Sequence, residues 1–301
     1  MIKPLILFAS AVILISFISK KDFVPAKITT PPGTVQLKDS LYIDKIEVTN
    51  EMWRAYTEGW LLKKENDSAT YAKMQPDSAV WYSLKFNSEH YVTYYFTSIG
   101  YGDYPVVGIT YEQAVAYCEW RTERVNEYLE RTKDAAFRSV VYRLPTEAEW
   151  ELAAAGKLDP LKYPHGYEKI KEGKKGDSSK VINCYYPDID SVQNTLQNLI
   201  MPSLSGKPNQ YGIYNIIGNA GEMVSEKGLS KGGFYDAPLE FCTIKEKFSY
   251  KEPNRYLGFR CVCLVDNAFS FKKQKEAFKQ QLKQNKKPTI KKDNKVFDQN
   301  K

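Results

Sequence analysis

The sequence predicts an α+β domain with little regular secondary structure. Three observations lead there. Strand-like and helix-like hydrophobic patterns both occur along the chain. Long polar stretches at 64–103 and 157–200 show no period. Tyrosine is in conspicuous excess at 22 of 301 residues, in a chain that is 43% hydrophobic. That composition buries a sizeable core in one large domain or two small ones.

The first element is N-terminal. MIKPLILFASAVILISFISKK places Lys3 before an apolar run at 5–18. The run is short for a bilayer span, which needs about 20 residues, and fits the apolar centre of a signal peptide. No A-x-A cleavage signal precedes Lys20, so residues 1–22 read as a signal peptide or an uncleaved anchor, with 4–19 as the membrane segment. The segment engages the membrane at least during export, and the expected location is the periplasm or cell envelope. Residues 23–34 are rich in Lys, Thr and Pro and read as a linker.

A strand pattern follows in VQLKDSLYIDKIEVT. Thr49 or Asn50 then caps a helix whose apolar face carries Trp53, Tyr56 and Trp60. Residues 64–103 read as loop with short strands. In YEQAVAYCEW, Thr110 and Gln113 form a capping box, and Ala114, Cys118, Val125 and Tyr128 line one face. In YRLPTEAEWELAAAG, Thr146 and Glu149 form a second box, and Gly156 fits the left-handed position that ends a helix. These residues read as structural. Residues 157–200 read as a surface excursion. YGIYNIIGNAGEMV gives a strand, a Gly-Asn turn and Glu222. The core closes on YLGFRCVCLV, whose alternation puts Cys261 and Cys263 on one face of a strand.

Charge sits in the tail. Residues 266–301 hold eleven lysines and four acids, while the remainder is neutral, so no basic domain face for nucleic acid is expected. The tail, with Phe271, Phe278 and Leu282 among lysines, reads as disordered or as a segment that touches anionic surfaces. Five cysteines is an odd number, which in an exported chain leaves one unpaired or paired between molecules. His90 and His165 are the only histidines, too few for a histidine metal site.

The ordered motifs IDKIEVTN, YPVVGITYEQAVAYCEW, YRLPTEAEWELAAAG, YGIYNIIGNAGEM, KGGF and YLGFRC resemble the formylglycine-generating enzyme family, also called the sulfatase-modifying factor domain, over residues 35–265. The resemblance implies that family's α+β fold, related to C-type lectins. Several members oxidise a client cysteine to formylglycine with O2 and a copper(I) ion held by two cysteines. Copper(I) is soft and favours thiolates. The second copper cysteine maps onto Cys242, the first onto Ala237, which has no metal-binding atom. The family's active-site Ser maps onto Phe234 and its Trp onto Gly221. Cys242 would be catalytic only in an active enzyme, and copper is not expected.

The resemblance further implies a disulfide between Cys118 and Cys261. It also implies a structural calcium ion on Asn215, Gly218, Ala220 and Glu222; a second family site that begins at an Asn, here Asn183, has no match for its carboxylate arm and is not carried over. Related domains occur in Bacteroidota gliding-motility envelope proteins. The expected function is therefore an exported, catalytically silent domain that binds or assembles with other envelope proteins. The alternatives are a copper-dependent oxidase making formylglycine in a client protein, and a lectin-like ligand binder.

Overall fold

The computed structural model describes residues 29–85, 87–132, 136–174, 177–187, 199–266 and 297–298. The apolar N-terminal run, expected to be a signal segment, and most of the lysine-rich tail lie outside the described residues. No helix among the described residues is long and apolar enough to cross a membrane.

The chain opens with an antiparallel hairpin, β1 (Thr34–Lys38) and β2 (Leu41–Asp44). Thr49 caps α1 (Asn50–Arg54), accepting from the Met52 amide, and the helix continues as a π-helical segment, Ala55–Leu62. Trp53 and Tyr56 are buried there and Trp60 is partly buried. Asn50 is not the cap. Its amide instead donates to the carbonyls of Tyr95 and Tyr101, each at 3.0 Å.

Residues 64–103 correct the sequence expectation. They fold as α2 (Ser68–Lys73), a 3-10 segment Ser78–Ser83, α3 (Ser88–Tyr94) and a 3-10 segment Ile99–Tyr101, with no strand. The tyrosines supply the reason. Trp81, Tyr91, Tyr95, Tyr101 and Tyr104 pack ring on ring at centroid separations of 4.4–6.2 Å. Aromatic contacts of this kind order a segment without any backbone period.

The long helix α4 (Tyr111–Arg131) starts at the Thr110–Gln113 capping box. Ala114 and Cys118 face inward, but Tyr128 is 51% exposed and Leu129 takes the buried place. The 3.6-residue period carried from Cys118 reaches 125 and 129, not 128. β3 (Val140–Arg143) leads to α5 (Glu147–Ala155), with the second capping box at Thr146–Glu149 and Gly156 left-handed at φ 58°. Residues 157–200 are only in part a surface excursion. They carry the hairpin β4 (Lys171–Lys174) and β5 (Asp177–Lys180), and then Ile182, Cys184 and Tyr186 enter the core.

The remaining strands are β6 (Gly221–Met223), β7 (Leu229–Lys231), β8 (Phe248–Ser249), β9 (Leu257–Gly258), β10 (Val262–Val265) and β11 (Phe297–Asp298). One sheet has the order β1-β2-β10-β3 and is antiparallel throughout. The other is mixed, β11-β8-β7-β6-β9. β10 is central to the first sheet and serves two cores. Cys261, Cys263 and Val265 join α4 and β3, while Val262 points to the core around Trp150 and Cys242. The alternation read from YLGFRCVCLV is therefore what separates the two halves of the interior.

Candidate functional site

KGGF begins at the end of β7 and shapes the site. Gly232 (φ 93°) runs against the Trp150 ring, and a Cβ there would meet its Cζ2 at 3.1 Å and the Ile216 carbonyl at 2.8 Å. Gly233 (φ 72°) lies on Cys242, and a Cβ would reach its Sγ at 2.5 Å. Only glycine permits that approach. The pair lets the chain pass between Trp150 and Cys242.

Cys242 closes the 3-10 turn Leu239–Phe241 and is fully buried. Its Sγ faces the carbonyls of Ala237 at 3.8 Å and Phe234 at 3.9 Å. Ala237 is buried too, and its methyl offers no metal-binding atom. The Phe234 ring packs on Tyr256 at 4.3 Å and on Phe248 at 5.6 Å. Outside this contact, the Pro164–Gly166 loop covers the backbone. The Ile244 amide donates to the Pro164 carbonyl, and His165 Nδ1 meets the Cys242 carbonyl at 2.7 Å. Aromatic rings and backbone thus enclose the thiol. Among the described residues, no group of three or more His, Cys, Asp or Glu side chains is placed to hold a metal. One thiol between two carbonyls does not fit a two-thiolate copper(I) ion.

The expected calcium residues surround a different object. Asn215 is left-handed at φ 50°, and its amide donates to the carbonyls of Pro202 (3.3 Å) and Ser203 (3.2 Å). Gly218, at φ 82°, gives its amide to Gly232. Ala220 is buried in the aromatic core with Trp81 and Tyr235. Glu222 on β6 is fully buried and ion-paired with Arg260, which is equally buried. Its Oε1 accepts from Arg260 Nε (2.8 Å) and Nη2 (2.6 Å). Its Oε2 accepts from Arg260 Nε (2.7 Å) and Trp150 Nε1 (2.7 Å). Both oxygens are taken and the charge is matched by a guanidinium. As placed, the four residues do not fit a calcium ion, which needs several free oxygens. We therefore expect neither added calcium nor a chelator to move the thermal midpoint by more than about 1 °C, checked by scanning calorimetry.

Sequence reasoning missed the partners that make this centre. Arg260 also donates to the carbonyls of Asp44 (3.1 Å) and Tyr214 (2.9 Å). Asp44 in turn accepts both Arg121 Nη atoms, at 2.8 and 2.9 Å, and the Cys261 amide. Glu47 is fully buried. Its Oε1 accepts from Asn219 at 2.8 Å, and its Oε2 has no partner. Burial pushes the Glu47 carboxyl up to about 8, with Arg260 opposing and Glu222 adding to the rise. The available signal was three charges, Asp44, Glu47 and Arg260, inside otherwise apolar strand patterns.

The disulfide candidates do meet. Cys118 Sγ and Cys261 Sγ lie 3.5 Å apart, both buried as thiols. Burial raises the Cys261 thiol well above its usual range and pushes Cys263 up to about 12. Cys184 and Cys242 lie in the other core.

Residues 16–265 match the sulfatase-modifying factor enzyme 1-like domain. The chain belongs to that family. The formylglycine-generating enzyme of Thermomonospora curvata is 27% identical over 221 residues, 68% of this chain and 65% of that protein. The chain thus spans just under two thirds of that relative's length. The inactive Cα-formylglycine-generating enzyme 2 of Bos taurus is 27% identical over 125 residues, 42% of this chain and 34% of that protein. A solved structure, Treponema denticola variable protein 1, aligns with a TM-score of 0.46 at 18% identity, covering 79% of this chain and 93% of that one. In this sulfatase-modifying-factor-like domain, the chain has the α+β architecture of the family.

Proposed function

We propose that this protein is a catalytically silent member of the family, exported and used for binding or assembly in the cell envelope. The observation that carries the reading is Cys242, buried against Gly233 with its Sγ facing the Phe234 and Ala237 carbonyls and with a methyl, not a thiol, at Ala237. Oxidation of a client cysteine needs a copper ion exposed to the incoming thiol, and this thiol faces two backbone carbonyls instead. A relative described as inactive fits the same view. Export rests on the apolar N-terminal run. In an oxidising compartment Cys118 and Cys261 would pair, closing a loop with a sequence separation of 143.

The test is copper(I) titration of the purified chain, with Cys242→Ala as control and free thiols counted under denaturing conditions. The expected result is no stoichiometric copper binding, no thiol-dependent O2 uptake with a cysteine peptide, and a mapped Cys118–Cys261 linkage. Tight binding that Cys242→Ala abolishes, with oxidation of the peptide, would overturn the reading in favour of a copper-dependent oxidase.

A further inference from the structure

The two ends of the lysine-rich tail are both fixed relative to α4. At one end, the Asp266 amide donates to the Ser139 carbonyl at 2.9 Å. Val140, the next residue, is held through both backbone groups by Asn126 of α4, at 2.8 and 2.9 Å. The tail therefore departs beside the C-terminal half of that helix. At the other end, Asp298 pairs with Ser249 of β8, and Ser249 pairs with Leu229 of β7. Two residues before Leu229, Lys227 forms an ion pair with Glu112 in the first turn of α4. Asp298 is thus paired on the sheet whose β7 end is tied through Lys227 to the first turn of the same helix.

α4 has 21 residues, so it is about 31 Å long at 1.5 Å per residue. Thirty residues, 267–296, join the two anchored points, enough to run back along the helix whether helical or extended. The solvent side of α4 is acidic. Glu112, Glu119, Glu123 and Glu130 are exposed and Glu127 is half-buried, at spacings that place all five on one helix face. In the tail, Lys272, Lys275, Lys279, Lys283 and Lys286 recur at helical spacing, and Phe271, Phe278 and Leu282 fall beside them.

We infer that residues 267–296 dock along the outward face of α4, antiparallel to it, with tail lysines against the Glu119–Glu123–Glu127–Glu130 stripe. The occupant is this chain's own tail. Each exposed ion pair is weak, and the combined attraction is sensitive to salt. Tethering at both ends raises the effective concentration.

The test uses the full chain. Zero-length carbodiimide coupling at about 10 mM salt, where screening is weak, is expected to join α4 glutamates to lysines between 272 and 292 within one molecule. Chymotrypsin, which cuts after the tail's Phe271, Phe278 and Leu282 and so keeps its sites in every variant, is expected to cut the tail about tenfold faster at about 0.5 M salt, where surface pairs are screened. It should do so equally at low salt in the Glu119→Lys, Glu123→Lys, Glu130→Lys triple variant. A second variant changes Lys272, Lys275, Lys279, Lys283 and Lys286 to Gln. It cannot disturb the folded domain and should show the same faster cleavage at low salt. Tail cleavage at one rate in all three proteins and at both salts would overturn the proposal. So would couplings found only between isotopically labelled and unlabelled chains, which would assign the face to a second copy's tail.

Discussion

Arg260→Met is expected to lower the unfolding free energy by about 3–5 kcal/mol, the cost of leaving a buried charge unpaired. The guanidinium is fully buried, engages both oxygens of Glu222 and donates to the carbonyls of Asp44 and Tyr214. It links β2, the segment before Ile216 and β6 through one side chain. Its removal leaves the Glu222 anion in the core with only the Trp150 N–H, and leaves two carbonyls without that donor. Arg260→Lys is expected to restore little, because an ammonium has no planar fork to reach three acceptors in different directions. The double change Glu222→Leu with Arg260→Met should recover most of the loss, since no charge is then stranded. Urea unfolding of the three variants measures this. An unchanged midpoint in Arg260→Met would refute the view that this ion pair organises the centre.

Glu47 is expected to make stability fall as pH rises towards 8. In the unfolded chain its carboxyl titrates at 4.5, and in the fold burial moves it to about 8. Between these values the folded protein holds a proton that the unfolded chain lacks. The stabilisation from this group is complete below 4.5 and is lost progressively as pH rises through about 8. The slope is about 1.4 kcal/mol per pH unit within that window, so several kcal/mol are at stake. Glu222 is raised in the same direction, by burial against the opposing Arg260, and adds to the trend. Glu47→Gln keeps an oxygen for the Asn219 amide and removes the titration. It should be more stable than the parent at about pH 8.5 and nearly equal at about pH 5. Urea midpoints across that range decide it, and parallel profiles for parent and variant would reject Glu47 as the source.

Much of the scaffold was legible because its signals are local. A capping box needs only a Thr and a Gln or Glu three residues on, and both boxes stand at Thr110 and Thr146. Gly156 ends α5 with a left-handed φ, as its place after LAAA implied. The alternation of Cys261 and Cys263 is a property of one strand. The departures at Ala237 and Phe234 are also plain in the sequence, since a methyl and a phenyl ring cannot ligate a metal.

Other features depend on residues far apart in the chain, and only the tertiary structure decided them. The aromatic cluster of Trp81, Tyr95 and Tyr104 turned an aperiodic polar stretch into short helices. Glu222 looked like an oxygen ligand on a turn, but Arg260, 38 residues later, reaches it first. The sequence by itself determined the caps, the strand alternation and the absence of a thiol at Ala237, each set by the chemistry of one residue and its near neighbours. The fold alone decided which buried charge meets which, because electrostatic pairing in the interior depends on distance in space, and the sequence records only distance along the chain.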